Sequence, residues 1–214
     1  MKKYLKIVLA GAIAVVIATA TAAFILNDTA QVVIDAGHGG HDVGAEYNGR
    51  YEKNDNLALA LLVADKLREK GIDVALTRDD DTFISLENRC KIANKKEAQL
   101  FVSLHRNSAE NAKGVEIWVS SDKPKNDTML AENILNNLDE AGIAQNRGVK
   151  YGYAQGDGDY YVNSHTAMPS CLVELGFINS EEDNDLYDDN LDSYAQAIAD
   201  AIESTLAEQT VIDK

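Results

Sequence analysis

The stretch that most limits what this chain can fold into is Val32 to Gly40, VVIDAGHGG. Val32, Val33 and Ile34 are β-branched, Asp35 follows, and small residues carry the chain past His38 to Gly39 and Gly40. This is the pattern of a buried strand ending in a tight loop. Open α/β sheets gather their chemistry at the carboxyl ends of strands, so His38 is displayed rather than packed. Two later runs look like further strands of this kind: LFVSLH, ending at His105, and CLVELGF, carrying Glu174. An ionised carboxylate within so apolar a run is costly without a partner, a cost more readily accepted for function than for packing.

The rest of the chain alternates between the two periods. Asn56 to Lys70 has helical spacing and is closed by Gly71; DVALTR at Asp73 to Arg78 reads as a strand. Ser85 caps a helix with Leu86, Cys90 and Ala93 on one face and Arg89 on its flank. Val115 to Ser120 is a strand in which Trp118 is expected to be core. Helices are expected over 127–141 and 191–206, and no element is assigned between Gly142 and Thr166. Strands alternating with helices predict an α/β fold: one domain, with a mostly parallel twisted sheet of about six strands flanked by helices. Cys90 and Cys171, one in a helical pattern and one in an apolar strand, are expected to be buried thiols rather than a bridge.

Residues 1–26 differ from everything that follows. Lys2, Lys3 and Lys6 precede Ile7 to Leu26, twenty residues without a charge. At 1.5 Å per residue such a helix spans ~30 Å, enough to engage a membrane. A cleaved signal peptide and an uncleaved anchor both fit; in either case the basic flank stays cytoplasmic and the remainder is exported, membrane-anchored or secreted. Residues 27–31 then form a short linker, 32–208 the catalytic domain and 209–214 a tail. The formal charge is -15, and leaving out the three leader lysines makes it more negative still, which argues against nucleic acid as a partner. A monomer is expected.

His38, Glu52 and His105 form a set that suits catalytic zinc, which takes three ligands from histidine and carboxylate and keeps a fourth position for water. Glu174 is then left over as the general base.

From Val32 to about Leu206 the chain resembles the zinc-dependent N-acetylmuramoyl-L-alanine amidases, a cell-wall amidase family with a phosphorylase/hydrolase-like α/β fold. VVIDAGHGG is similar to the first family motif, YEKN with Leu57 to its metal-binding glutamate motif, and LTRD to its second strand. LFVSLHRNS is similar to its second histidine motif and MPSCLVELGFINS to its catalytic-glutamate motif. The resemblance implies that His38, Glu52 and His105 bind zinc and that Glu174 activates water. It also implies peptidoglycan as partner, cleaved at the amide between the lactyl group of N-acetylmuramic acid and L-alanine.

The chain departs from the family at Ala36, where proline is usual, and at Arg106, where a small residue is common. Arg106 has two readings, a solvated cation at the rim of the site and a contact to a stem-peptide carboxylate, and Asn107 is a candidate to orient a ligand or substrate. The short interval from Ser120 to Met129 leaves no room for an autoinhibitory insertion. No wall-binding repeat is read after the amidase region, so targeting is expected to fall to the apolar segment. His41, His165 and the acidic run from Glu181 to Asp189 are set aside; the run lacks the glycine of a calcium loop and reads as a solvated helix start. A zinc peptidase of the stem or cross-link and a non-catalytic wall-binding module are the competing readings. A phosphate-cradling loop fails because neither GxGxxG nor GxxxxGK[ST] is present.

Overall fold

In the computed structural model, which describes residues 29–122 and 124–212, the long apolar strands form the middle of one six-stranded sheet. Its strands are β1 (Val32–Ala36), β4 (Val74–Leu76), β5 (Leu100–Asn107), β6 (Val115–Val119), β7 (Asn146–Tyr151) and β8 (Ser170–Phe177), ordered β4-β1-β5-β8-β6-β7. β4, β1, β5 and β8 are parallel; β6 runs antiparallel to β8, with β7 parallel to β6. β1 and β8 are buried at every residue, which is why they read as unbroken apolar runs rather than alternating ones.

A separate two-residue hairpin, β2 (Glu46–Tyr47) with β3 (Arg50–Tyr51), turns through Asn48 and Gly49, both at positive φ, the backbone that favours an Asn-Gly turn. It leads directly into α1 (Glu52–Glu69). The remaining helices are α2 (Leu86–Lys95), α3 (Lys125–Ala141), α4 (Tyr161–His165) and α5 (Glu181–Ile212). α1 and α3 both pack on α5 and against one sheet face, around Ile34, Leu104, Leu138 and Ile198; the smaller α2 and α4 pack together on the other, over Val33, Phe101 and Leu172.

The connection from β1 leads to β4 on one side, and the chain then returns to β5 on the other. β1 and β5 therefore flank the point where strand order reverses, where α/β sheets bind ligands. His38 follows β1 and His105 lies in β5.

Several boundaries differ from the sequence expectation. α1 begins at Glu52 rather than Asn56, because the carbonyls of Ala45 and Val43 accept the N–H groups of Glu52 and Lys53 and replace a side-chain cap. β7 and α4 fill the region left unassigned: β7 is a half-exposed edge strand whose glycine and charges disguise it. α5 extends the closing helix at both ends. Trp118 is half-buried. Among the described residues no helix is long and apolar enough to cross a membrane; the leader expectation falls on residues outside them. Both cysteines are free and buried.

Candidate metal centre and catalytic cleft

The loop carrying His38 is held from beneath by two buried arginines. Arg89 donates to Asp35 Oδ1 at 2.7 Å, to the Ala36 carbonyl at 2.6 Å and to the His38 carbonyl at 2.7 Å. Arg78 donates to the carbonyls of Ala36 at 2.9 Å and Gly37 at 2.8 Å. These donors satisfy backbone acceptors that leave the sheet ladder where β1 ends. Asp35 also accepts from Thr77 and Ser103, both at 2.6 Å. Burial works to raise its pKa, but Arg89 and the two hydroxyls outweigh burial and hold it below the ordinary carboxylate value. His38 itself sits at φ +59.

The three predicted ligands meet above this loop. Glu52 Oε1 lies 2.8 Å from His105 Nδ1 and 3.2 Å from His38 Nε2. Glu52 is buried, and Asn56 Nδ2 and the Arg106 N–H also donate to it. Its other oxygen accepts the Ala45 N–H at 2.8 Å. Burial raises the Glu52 pKa, yet the hydrogen bonds from His105 and His38 prevail and keep it well below its usual value. His38 is desolvated, which lowers its pKa, but the hydrogen bond and charge of Glu52 raise it overall. Asp42 Oδ2 lies 2.9 Å from His38 Nδ1 and adds to that rise.

One donor atom from each of His38, Glu52 and His105 can be chosen so that all lie within 4.8 Å of one another. Two imidazoles and a carboxylate are a donor set that zinc accepts in catalytic sites. The backbone is shaped to the cluster: a Cβ on Gly37 would strike the His105 imidazole, and one on Gly44, at φ +67, would meet Glu52 Oε2 and His38 Cδ2 at 2.6 Å.

Glu174 faces the cluster from the next strand. In sheet register it stands beside His105 on one side and Glu116 on the other. It is buried, and its Oε2 has no hydrogen-bond partner among the described residues. Burial, then the charges of Glu52 and Glu116, push its pKa well above the usual carboxylate value against the opposing pull of Arg106. Glu116 is fully engaged, accepting from Asn107 at 2.9 Å, Trp118 Nε1 at 3.1 Å and Arg147 at 2.8 Å. All four predicted residues line one cleft of about 780 Å³.

Arg106 corrects a sequence expectation. Its side chain is only 1% exposed, paired with Asp55 at 2.6 Å and Asn184 at 2.7 Å and lying over the Tyr187 ring. Its two terminal guanidinium nitrogens thus join α1 to α5, and Arg106 is a buried tie between helices rather than a solvated rim cation. Asn107 does line the cleft, its amide fixed by Glu116. His41 lies tilted against the Phe83 ring, and His165 stacks on Tyr161 in α4. The acidic run opens α5, as expected of a helix start, but Asp183 within it is buried rather than solvated and accepts from the Gly114 and Phe177 N–H groups. Sequence reasoning missed Asp35, Arg78 as a clamp and Glu116. A charged residue within or ending an apolar strand, as at Asp35 and Glu116, was the signal available.

A family model described as N-acetylmuramoyl-L-alanine amidase matches residues 32–204. The chain is 43% identical over 173 residues to an uncharacterized protein, YqiI, of Bacillus subtilis (strain 168), covering 80% of each. It is 34% identical over 176 residues to a putative N-acetylmuramoyl-L-alanine amidase, YrvJ, of the same organism, covering 82% of this chain and 32% of that one. Its fold is similar to the catalytic domain of CwlV, an N-acetylmuramoyl-L-alanine amidase from Bacillus (Paenibacillus) polymyxa var. colistinus, with a TM-score of 0.74 and 36% identity over 82% of this chain and 97% of that one.

Proposed function

The chain belongs to the N-acetylmuramoyl-L-alanine amidase family, and from that premise we propose that it hydrolyses the amide between N-acetylmuramic acid and L-alanine in peptidoglycan, with His38, Glu52 and His105 holding zinc and Glu174 as general base. The observation that carries this reading is the convergence of two imidazoles and a carboxylate beside a buried Glu174 whose Oε2 has no hydrogen-bond partner among the described residues.

Zinc, when bound, supplies Lewis acidity that lowers the pKa of water to ~7 and polarises the scissile carbonyl. The chain supplies the rest. Glu52 and the arginine-held loop fix the two imidazoles. Glu174 takes a proton from the attacking water at its carboxylate and delivers it to the departing L-alanine nitrogen; a raised proton affinity suits both halves of that transfer. The charge pattern of residues 1–26 supports export, with the domain facing the wall.

The test is digestion of purified peptidoglycan by the exported fragment, with and without chelator, read by mass spectrometry. The expected product is peptide with a free L-alanine amine and intact muramic acid; a peptidase would cut elsewhere in the stem. Glu174→Gln should keep the metal and lose about 10²- to 10⁴-fold in rate. A variant that still solubilised wall material at a comparable rate would remove Glu174 from the base role.

A further inference from the structure

The cleft has two walls of unlike chemistry. One comes from the segment entering α2: Phe83, Ile84 and Leu86, with Phe83 40% and Leu86 54% exposed. These side chains offer no hydrogen-bonding group. The second comes from the segment entering α4 and is aromatic and polar, with Tyr153, Tyr160 and Tyr161 beside Gln155 and Asp159.

The second wall is built and held. Tyr160 stands edge-on to Tyr153, with ring centroids 4.9 Å apart, and meets Trp118 at 5.6 Å on its other side. Trp118 is in turn fixed by Glu116. Asp159 accepts from the Ser121 N–H at 2.7 Å and from Ser120 Oγ at 3.0 Å, and the Gly152 N–H donates to the Val119 carbonyl at 2.9 Å, so both ends of the segment are tied to the end of β6. The Tyr153 hydroxyl donates to Gln155 Oε1 at 3.0 Å. Such a wall loses little freedom when it is covered.

Sugar rings present faces of C–H groups edged by hydroxyls and amides, which match aromatic surface bordered by hydrogen-bonding groups, since C–H edges carry the positive end that a ring face attracts. The first stem residue presents a methyl, which matches an apolar wall. We propose that Tyr153, Tyr160 and Tyr161 form the saccharide subsite of the cleft and that Phe83, Ile84 and Leu86 form its peptide subsite. This assignment rests on the amidase reading, and it runs the substrate from the α4 side to the α2 side across the metal cluster.

Chemical-shift titration of the nitrogen-labelled protein tests it without turnover, using two probes: the tetramer of N-acetylglucosamine and a free stem peptide beginning with L-alanine. Tyr153→Ala should weaken the tetramer about five- to tenfold more than the peptide, and Leu86→Ala should weaken the peptide more than the tetramer. Tyr153→Phe keeps the ring and should stay within about threefold of wild type for the tetramer. The assignment is overturned if wild type does not bind the tetramer at about 10 mM, if Tyr153→Phe loses as much as Tyr153→Ala, or if each variant weakens both probes equally. Failure of the amidase reading looks different: wild type would bind both probes yet release no peptide from peptidoglycan.

Discussion

Two carboxylates a strand apart in the same cleft are treated in opposite ways. Glu52 is given donors from His38, His105, Asn56, Ala45 and Arg106, and its proton affinity falls despite burial. Glu174, neighbouring His105 in the sheet, keeps one oxygen without a donor, and two carboxylates add to the burial that raises its proton affinity. A metal ligand has to stay ionised and in place, whereas a proton carrier has to bind its proton at working pH. The fold meets the first need with hydrogen bonds and the second by withholding them.

The comparison is broken most severely at the ligands. His105→Ala, or His38→Asn, which tolerates the positive φ better than other replacements, should drop bound metal from about one ion per chain towards zero and abolish hydrolysis. Metal analysis of the purified variants decides this, in contrast with Glu174→Gln, which should retain the ion. An unchanged metal content would strike that histidine from the ligand set.

Legibility in the sequence follows the same division. β1, β5 and β8 were readable because strands buried on both faces leave unbroken apolar runs, and these placed His38, His105 and Glu174 at one sheet edge. Glu52 was the least legible of the ligands, because a polar loop before a helix resembles solvent-exposed sequence; only its place in a set with the two histidines, which the family resemblance reinforced, marked it. Arg106 was misjudged for a related reason. Neighbouring residues of a strand point to opposite faces, so Arg106 is turned away from His105, and its partners Asp55 and Asn184 lie 51 and 78 positions away. β7, with the sequence NRGVKY, is an edge strand whose stability comes from pairing with β6 rather than from an apolar face of its own.

A smaller effect is expected one layer beneath the ligands. Arg89 is buried with Asp35 and also holds the Ala36 and His38 carbonyls. Arg89→Ala should destabilise the fold by about 3–5 kcal/mol, since it leaves a buried carboxylate unpaired, and should weaken metal binding by about 10- to 100-fold through the loosened His38 loop. Denaturant unfolding and metal titration measure the two separately. A full loss of stability with unchanged metal affinity would show that the arginine supports the sheet without positioning the histidine.

The mildest prediction uses a carboxyl outside the cleft as the reference for Glu174. Asp127, near the start of α3, is buried, and burial pushes its pKa up to about 6 against hydrogen bonds from the backbone of Ser170 and of Asp127 itself. No charged group contributes to that shift, so it shows what desolvation does alone. A carboxyl whose folded pKa is raised holds its proton more tightly folded than unfolded. Its effect on stability is therefore absent at low pH, becomes unfavourable as pH rises from about 4 to about 6, and is constant above. Asp127→Asn removes that titration, so the melting temperature of the variant relative to wild type should be higher at pH about 8 than at pH about 4. Thermal melts at the two values check it, and a difference independent of pH would mean that Asp127 keeps an ordinary pKa and that burial alone does not raise a carboxyl in this fold.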